Sequence, residues 1–253
     1  MGSNERAGGL AVKVEEIAKH RDRDWAVKNF QRTVIDLIGW SGASSVLEVG
    51  GGRSPFLKQK TIEQLGVAYT SSDILASEVA LAPDWIESIV LDVQTPDKSL
   101  IAPYAGKYDF AFSKWVMEHV GNYKRAYSNI YDILQEGGIY IALHPILYSL
   151  PFVVNRIAPD SVTAPVLRLF FPHRNDAETP KFPALYSGCR ISGRVREDIR
   201  AIGFRQVWQL PFYGHNYYSK IPVLREMHRA VTAGVRGLNL TPMASFAYTI
   251  VQK

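Results

Sequence analysis

The chain has 253 residues, 47% hydrophobic and 11% aromatic, as expected of a globular protein with one sizeable core. A single cysteine, Cys189, excludes an internal disulfide, no Cys–His spacing suits zinc, and no apolar run or signal-peptide core marks a membrane span or export, so a cytoplasmic location is expected. The net charge of +5 is uneven: residues 1–150 hold 15 Lys+Arg against 18 Asp+Glu, and 151–253 hold 14 against 6, which suggests an anionic substrate, membrane surface or nucleic acid near the later part, or simply a solvated basic face.

Residues 1–9 carry no periodic pattern and are expected to lack structure. Leu10 to Ile38 is predicted helical, with Val27, Phe30, Val34 and Leu37 on one stripe and Gly39 and Gly42 ending it. Val46-Leu47-Glu48-Val49 reads as a buried strand running into Gly50-Gly51-Gly52. Glycine belongs where a backbone turns sharply and lets a ligand approach. Ser54 suits an N-cap and Pro55 the first helical position of the helix that follows. A dinucleotide fingerprint would put glycine where Pro55 stands and needs no charge at Glu48, so the spacing E-x-G-x-G sets this loop apart.

Leu57, Ile62 and Leu65 face inward on that helix, which Gly66 stops. Val67 to Ser71 is the next strand. Asp73 follows Gly50 by 23 residues, placing a carboxylate at a second strand end within reach of ribose hydroxyls; a capping Asp in a turn is the alternative. Ser88 to Asp92 is a third strand closed by an acid, and Lys107 to Ser113 a fourth. Asn122 to Gln135 is predicted helical, and Ile139 to Leu143 is a fifth strand ending at His144-Pro145. Strands alternating with helices predict an α/β, doubly wound parallel sheet whose ligands bind outside the carboxyl ends of the strands.

Seven prolines break residues 145–190, among aromatic and basic side chains such as Tyr148, Phe152, Arg168 and Phe170. A connection this long is expected to be a functional lid, or else a variable loop or dimer contact. A helix over Ser192 to Ile202, a strand over Phe204 to Leu210, a helix over Val223 to Thr232 with Leu224, Met227 and Val231 on one side, and a strand over Ser245 to Val251 complete the chain.

In order and spacing, LEVGGG, SSD, LDV, YDFAFSKWVMEHV and ILQEGGIYIALHP resemble the motifs of class I S-adenosylmethionine (SAM)-dependent methyltransferases. The resemblance covers about residues 40–145 and returns near the C-terminus; Arg53 and Ser54 depart from the commoner third glycine. It implies one Rossmann-like domain, 1–253, with a seven-stranded sheet whose last two strands pair antiparallel at the edge. Its parts would be N-terminal helices 10–40, a SAM-binding core 41–145, a lid insertion 146–190 after the fifth strand, and a C-terminal part 191–253. SAM is the implied cofactor, with Glu48, Gly50 and Gly52 at its methionine moiety, Asp73 at the ribose, Asp92 and Val93 beside the adenine and Ser113 near the sulfonium. Gly51, Ser54, Ile74, Lys114 and Trp115 complete the expected cofactor set.

The YDxxxSxxxMEHV segment resembles enzymes acting on small molecules and glycans, so the expected acceptor is a hydroxyl on such a molecule. His144, at the end of the fifth strand, is the first candidate base, with His215 and Tyr213 in reserve; a structural His144 bonded to the loop backbone is the alternative. No metal is expected. Leu143-His144-Pro145-Ile146 stands where amino-methylating DNA enzymes carry Asn-Pro-Pro-Tyr, which disfavours nucleic acid. A SAM-fold protein that no longer methylates, and an enzyme working on a lipid-associated substrate, are the competing readings.

Overall fold

Asp22 decides how the chain enters the fold. Its carboxylate accepts hydrogen bonds from Asp24 N (2.8 Å) and Trp25 N (3.2 Å), so a helix must begin there. The computed structural model describes residues 3–147, 182–215 and 222–253. In it the expected single run is two helices, α1 (Ser3–Ala18) and α2 (Arg23–Ser41), and α1 takes in most of the stretch expected to lack structure. Phe30, Val34, Leu37 and Ile38 line the buried face of α2, which Gly42 ends in the left-handed region at φ 66°.

Strand β1 (Ser45–Val49) lies at the centre. It pairs in parallel with β2 (Ala68–Asp73) and with β4 (Tyr108–Lys114). On one side β2 pairs with β3 (Glu87–Val90), and on the other β4 pairs with β5 (Leu134–Pro145), all parallel. Strand β7 (Phe246–Gln252) runs antiparallel between β5 and β6 (Gln206–Phe212). The order β3-β2-β1-β4-β5-β7-β6 is the seven-stranded sheet expected, with the last two strands paired antiparallel at its edge. Helices α3 (Gln59–Leu65), α4 (Ala76–Val79), α5 (Tyr123–Ile133), α6 (Gly193–Ile202) and α7 (Pro222–Gly237) connect these strands.

One helix starts later than Ser54-Pro55 suggests: α3 begins at Gln59, with Lys58 at its N-cap. Phe56 N donates to the Glu48 carboxylate at 2.9 Å and Leu57 is fully buried, so this segment is drawn down over β1 instead of winding into a helix. Aromatic rings pack both faces of the sheet. Phe30 meets Phe56 and Tyr248 on the α2 side, and Tyr127 meets Tyr140 and Phe204 on the α5 side. Each large side chain buried in this way stabilises the fold by roughly 1.5–3 kcal/mol. Of the expected lid, residues 148–181 lie outside the described residues. The chain rejoins the body where Leu185 N and Tyr186 N donate to Glu118 O at 2.7 and 2.9 Å. Among the described residues no helix is long and apolar enough to cross a membrane.

Candidate functional site

The parallel strands carry their terminal residues to one edge, and the glycine loop is built there. Gly50 and Gly52 adopt φ of 80° and 48°, conformations that cost most side chains dearly. A Cβ on Gly50 would stand 2.4 Å from Val116 Cγ2, one on Gly51 2.3 Å from Ser71 Oγ, and one on Gly52 2.9 Å from Asp73 Oδ2. Gly50 N and Gly51 N both donate to Ser72 O, at 2.8 and 2.9 Å, which pins the loop to the end of β2.

Glu48 faces into this arrangement. It is 5% exposed, and beside Phe56 N it accepts the Tyr69 hydroxyl at 2.5 Å. Burial pushes its carboxyl up to about 7, against the opposing pull of Tyr69, Phe56 N–H and Lys114. Its visible work is to hold the loop down. Asp73 closes β2: Oδ1 accepts from Leu75 N at 3.0 Å, while Oδ2 is the atom set against Gly52. Burial raises its pKa, with the Leu75 bond opposing. Ile74 beside it is exposed. Arg53 reaches across from the loop and clasps Glu78 of α4 through two bonds of 2.6 Å. Ser54 is exposed, its N–H bonded back to Gly51 O at 3.0 Å.

Past β3, Asp92 turns its carboxylate to Gln94 N (2.9 Å), and Val93 is buried. At the end of β4 the three expected residues part company. Ser113 is fully buried and shares a 2.7 Å hydrogen bond with Tyr140 OH, so its hydroxyl serves the α5 side of the sheet. The Lys114 ammonium stands 4.5 Å over the Phe56 ring, on the Glu48 side, with its pKa lowered by burial. Trp115 holds φ 59°, an unusual conformation for a bulky residue and one that concentrates at functional sites. Its ring meets Phe246 edge-on at 5.2 Å, and the Arg23 guanidinium lies 5.5 Å from that same Phe246 ring.

The three candidate bases sit in closed settings. His144 is 1% exposed; its Nδ1 lies 3.1 Å from Pro145 O and its Nε2 2.9 Å from Thr249 Oγ1. A carbonyl can only accept, so Nδ1 carries the proton and Nε2 takes the threonine hydroxyl. Burial drives its pKa down to about 4. Tyr213 is buried beneath Arg21, whose guanidinium lies 5.4 Å from the ring. His215 is nearly buried and stacked on His228 at 3.7 Å, its pKa pushed down to about 4 by burial, then by His228 and Arg23.

Sequence reasoning missed Tyr69, Glu78 and Val116. In the parallel register Val46 is opposite Tyr69 and Glu48 opposite Ser71, which puts all four on one face. That pairing was the only signal for Tyr69, and a sequence does not display it. Glu78 and Val116 carry no local signal at all.

A sequence model described as a methyltransferase domain matches residues 14–169. No curated protein matches the chain. Among solved structures, a SAM-dependent methyltransferase from Archaeoglobus fulgidus is similar at 16% identity and TM-score 0.51, over 92% of this chain and 100% of that one. Phosphoethanolamine N-methyltransferase 2 of Haemonchus contortus, in complex with phosphomonomethylethanolamine and S-adenosylhomocysteine, is similar at 12% identity and TM-score 0.50, over 83% of this chain and 49% of that one. The trans-methyltransferase CalH with SAH gives 15% identity and TM-score 0.52, over 87% of this chain and 55% of that one. At such identities the likeness is one of fold.

Proposed function

The chain belongs to the methyltransferase-domain family, and from that premise we propose that it transfers the methyl group of S-adenosylmethionine to an anionic oxygen of a small molecule or glycan. Bound at the strand edge, SAM supplies a methyl group activated by its sulfonium charge. The residues at that edge fit such a ligand. The three glycines let the loop fold tightly against Val116, Ser71 and Asp73, and Asp73 Oδ2, set beside Gly52, would accept a ribose hydroxyl. Lys114 would offer a half-buried cation to a carboxylate, that of the cofactor or of the acceptor, and Asp92 with Val93, just past β3, would flank the adenine. Trp115 and Phe246 pack edge-on beyond β4, where they would help to orient an acceptor. The observation that carries the cofactor reading is Asp73 Oδ2 set against Gly52 at the ends of two neighbouring strands.

His144 bears on the acceptor. With both ring nitrogens bonded inside the sheet, it offers no free lone pair to a substrate hydroxyl. That favours an acceptor that needs no strong base, such as a carboxylate or an acidic hydroxyl, and a protein that works by orientation. Transfer from labelled SAM to extract of the native source, followed by mass spectrometry of the product, tests this. A methyl found on carbon or nitrogen would refute the oxygen reading, and cofactor binding without transfer would favour a non-methylating protein.

A further inference from the structure

Helix α7 packs with its polar face inward. His228 stacks on His215, the Thr232 hydroxyl lies 3.2 Å from His228 Nε2, and Val235 closes a small cluster with Ile146, Tyr213 and Ala247. The sequence pattern puts Met227 and Val231 on one side of the helix. That side faces outward: Val223, Met227, Val231 and, one residue past the helix, Leu238 are exposed by 70, 61, 60 and 74%. Val223, Met227 and Val231 recur every four residues and Leu238 follows seven further on, which aligns them along one stripe. Leu240 and Met243 follow, so six of the fourteen exposed large hydrophobic residues among those described lie within residues 223–243. Single exposed apolar residues are ordinary, whereas a contiguous set marks a contact surface.

Charge narrows what the surface meets. The helix carries Arg225, Arg229 and Arg236 against one acid, Glu226, which Arg225 and Arg229 share at 2.9 Å each. Arg21 joins them through a hydrogen bond to Asn239, just past the helix end. With the body attached to the polar side, the apolar stripe is left facing outward, as in a helix lying flat in a lipid interface. Long arginine stems reach round from such a helix to headgroup phosphates. We propose that α7 docks the protein on an anionic lipid bilayer, with Val223, Met227, Val231 and Leu238 entering the headgroup–acyl boundary. The proposal does not depend on the chemistry at the strand edge.

Co-sedimentation of the full chain with vesicles tests it, using phosphatidylcholine alone and phosphatidylcholine mixed equally with phosphatidylglycerol. Binding is expected to the mixed vesicles only, weakened by salt through screening. Val231→Glu should weaken it about tenfold or more, with an unchanged melting temperature because the position is exposed; Met227→Gln provides a milder check. Failure to sediment with the anionic vesicles would overturn the proposal, and equal binding to neutral vesicles would overturn the anionic assignment. So would a light-scattering mass of two chains that returns to one in Val231→Glu, since the stripe would then be a contact between copies.

Discussion

Tyr69 donates its hydroxyl to Glu48 at 2.5 Å across the β2–β1 pair, directly beneath the glycine loop. The bond lets a carboxyl stay buried where the chain must also be held in a tight turn. Tyr69→Phe keeps the ring packed against Phe112 and removes only the donor. Leaving a buried acceptor short of a partner costs about 1–3 kcal/mol. The variant should lose that much in urea unfolding at neutral pH, and its SAM affinity should fall because the Phe56 segment loosens. An unchanged denaturation midpoint would show that Glu48 does not depend on the bond.

Asp73 and the glycines make the sharpest prediction about the cofactor. Asp73→Ala removes the carboxylate that stands against Gly52, and S-adenosylhomocysteine binding should weaken by roughly 1.5–3 kcal/mol in calorimetry. Gly50→Ala should abolish it, since a Cβ there lands 2.4 Å from Val116 Cγ2 and the φ of 80° is unfavourable besides. Wild-type affinity in either variant would move the ligand elsewhere.

The features legible in the sequence were those written over a few adjacent residues. Strand, acid and glycine run consecutively through Glu48 and Gly50, and alternating patterns suffice to predict the parallel sheet, while its antiparallel edge was implied only by the family resemblance. What stayed hidden depends on partners far along the chain. The inward turn of Glu48 needs Tyr69 in register. The closed setting of His144 needs Thr249 on β7, 105 residues later. For α7 the periodicity reveals a stripe but not the side on which it faces, because the inner contact is His228 stacked on His215, which hydrophobicity does not register.

His144 is held neutral by burial, with a folded pKa near 4 against about 6.5 in the unfolded chain. Between those values the unfolded chain binds the extra proton, so stability falls as pH drops from about 6.5 toward 4. At about 1.4 kcal/mol for each pH unit spanned, this one ring accounts for about 3 kcal/mol of acid sensitivity. His144→Gln, which keeps a donor and an acceptor in place, should flatten the denaturation midpoint over that range. Its turnover near neutral pH should stay within a few-fold of wild type at equal folded fraction. A loss of the order of 10²–10⁴, as removal of a general base produces, would restore the ring to the mechanism.

Glu118 should shape the opposite limb of the stability profile. It is 7% exposed, and its Oε2 has no hydrogen-bond partner among the described residues, although its backbone carbonyl anchors Leu185 and Tyr186. Burial lifts its carboxyl to about 8, so the folded protein keeps the proton that the unfolded chain gives up near 4.5. The stability this provides is full below the lower value and lost as pH rises through the upper one. Glu118→Gln is close in shape and cannot ionise. At about pH 9 it should therefore unfold at higher denaturant than wild type, by up to a few kcal/mol, while below about pH 5 it should be equal or slightly weaker. Parallel midpoints across the whole range would mean that the carboxyl ionises freely in the folded protein, with a partner or a path to water that its buried setting conceals.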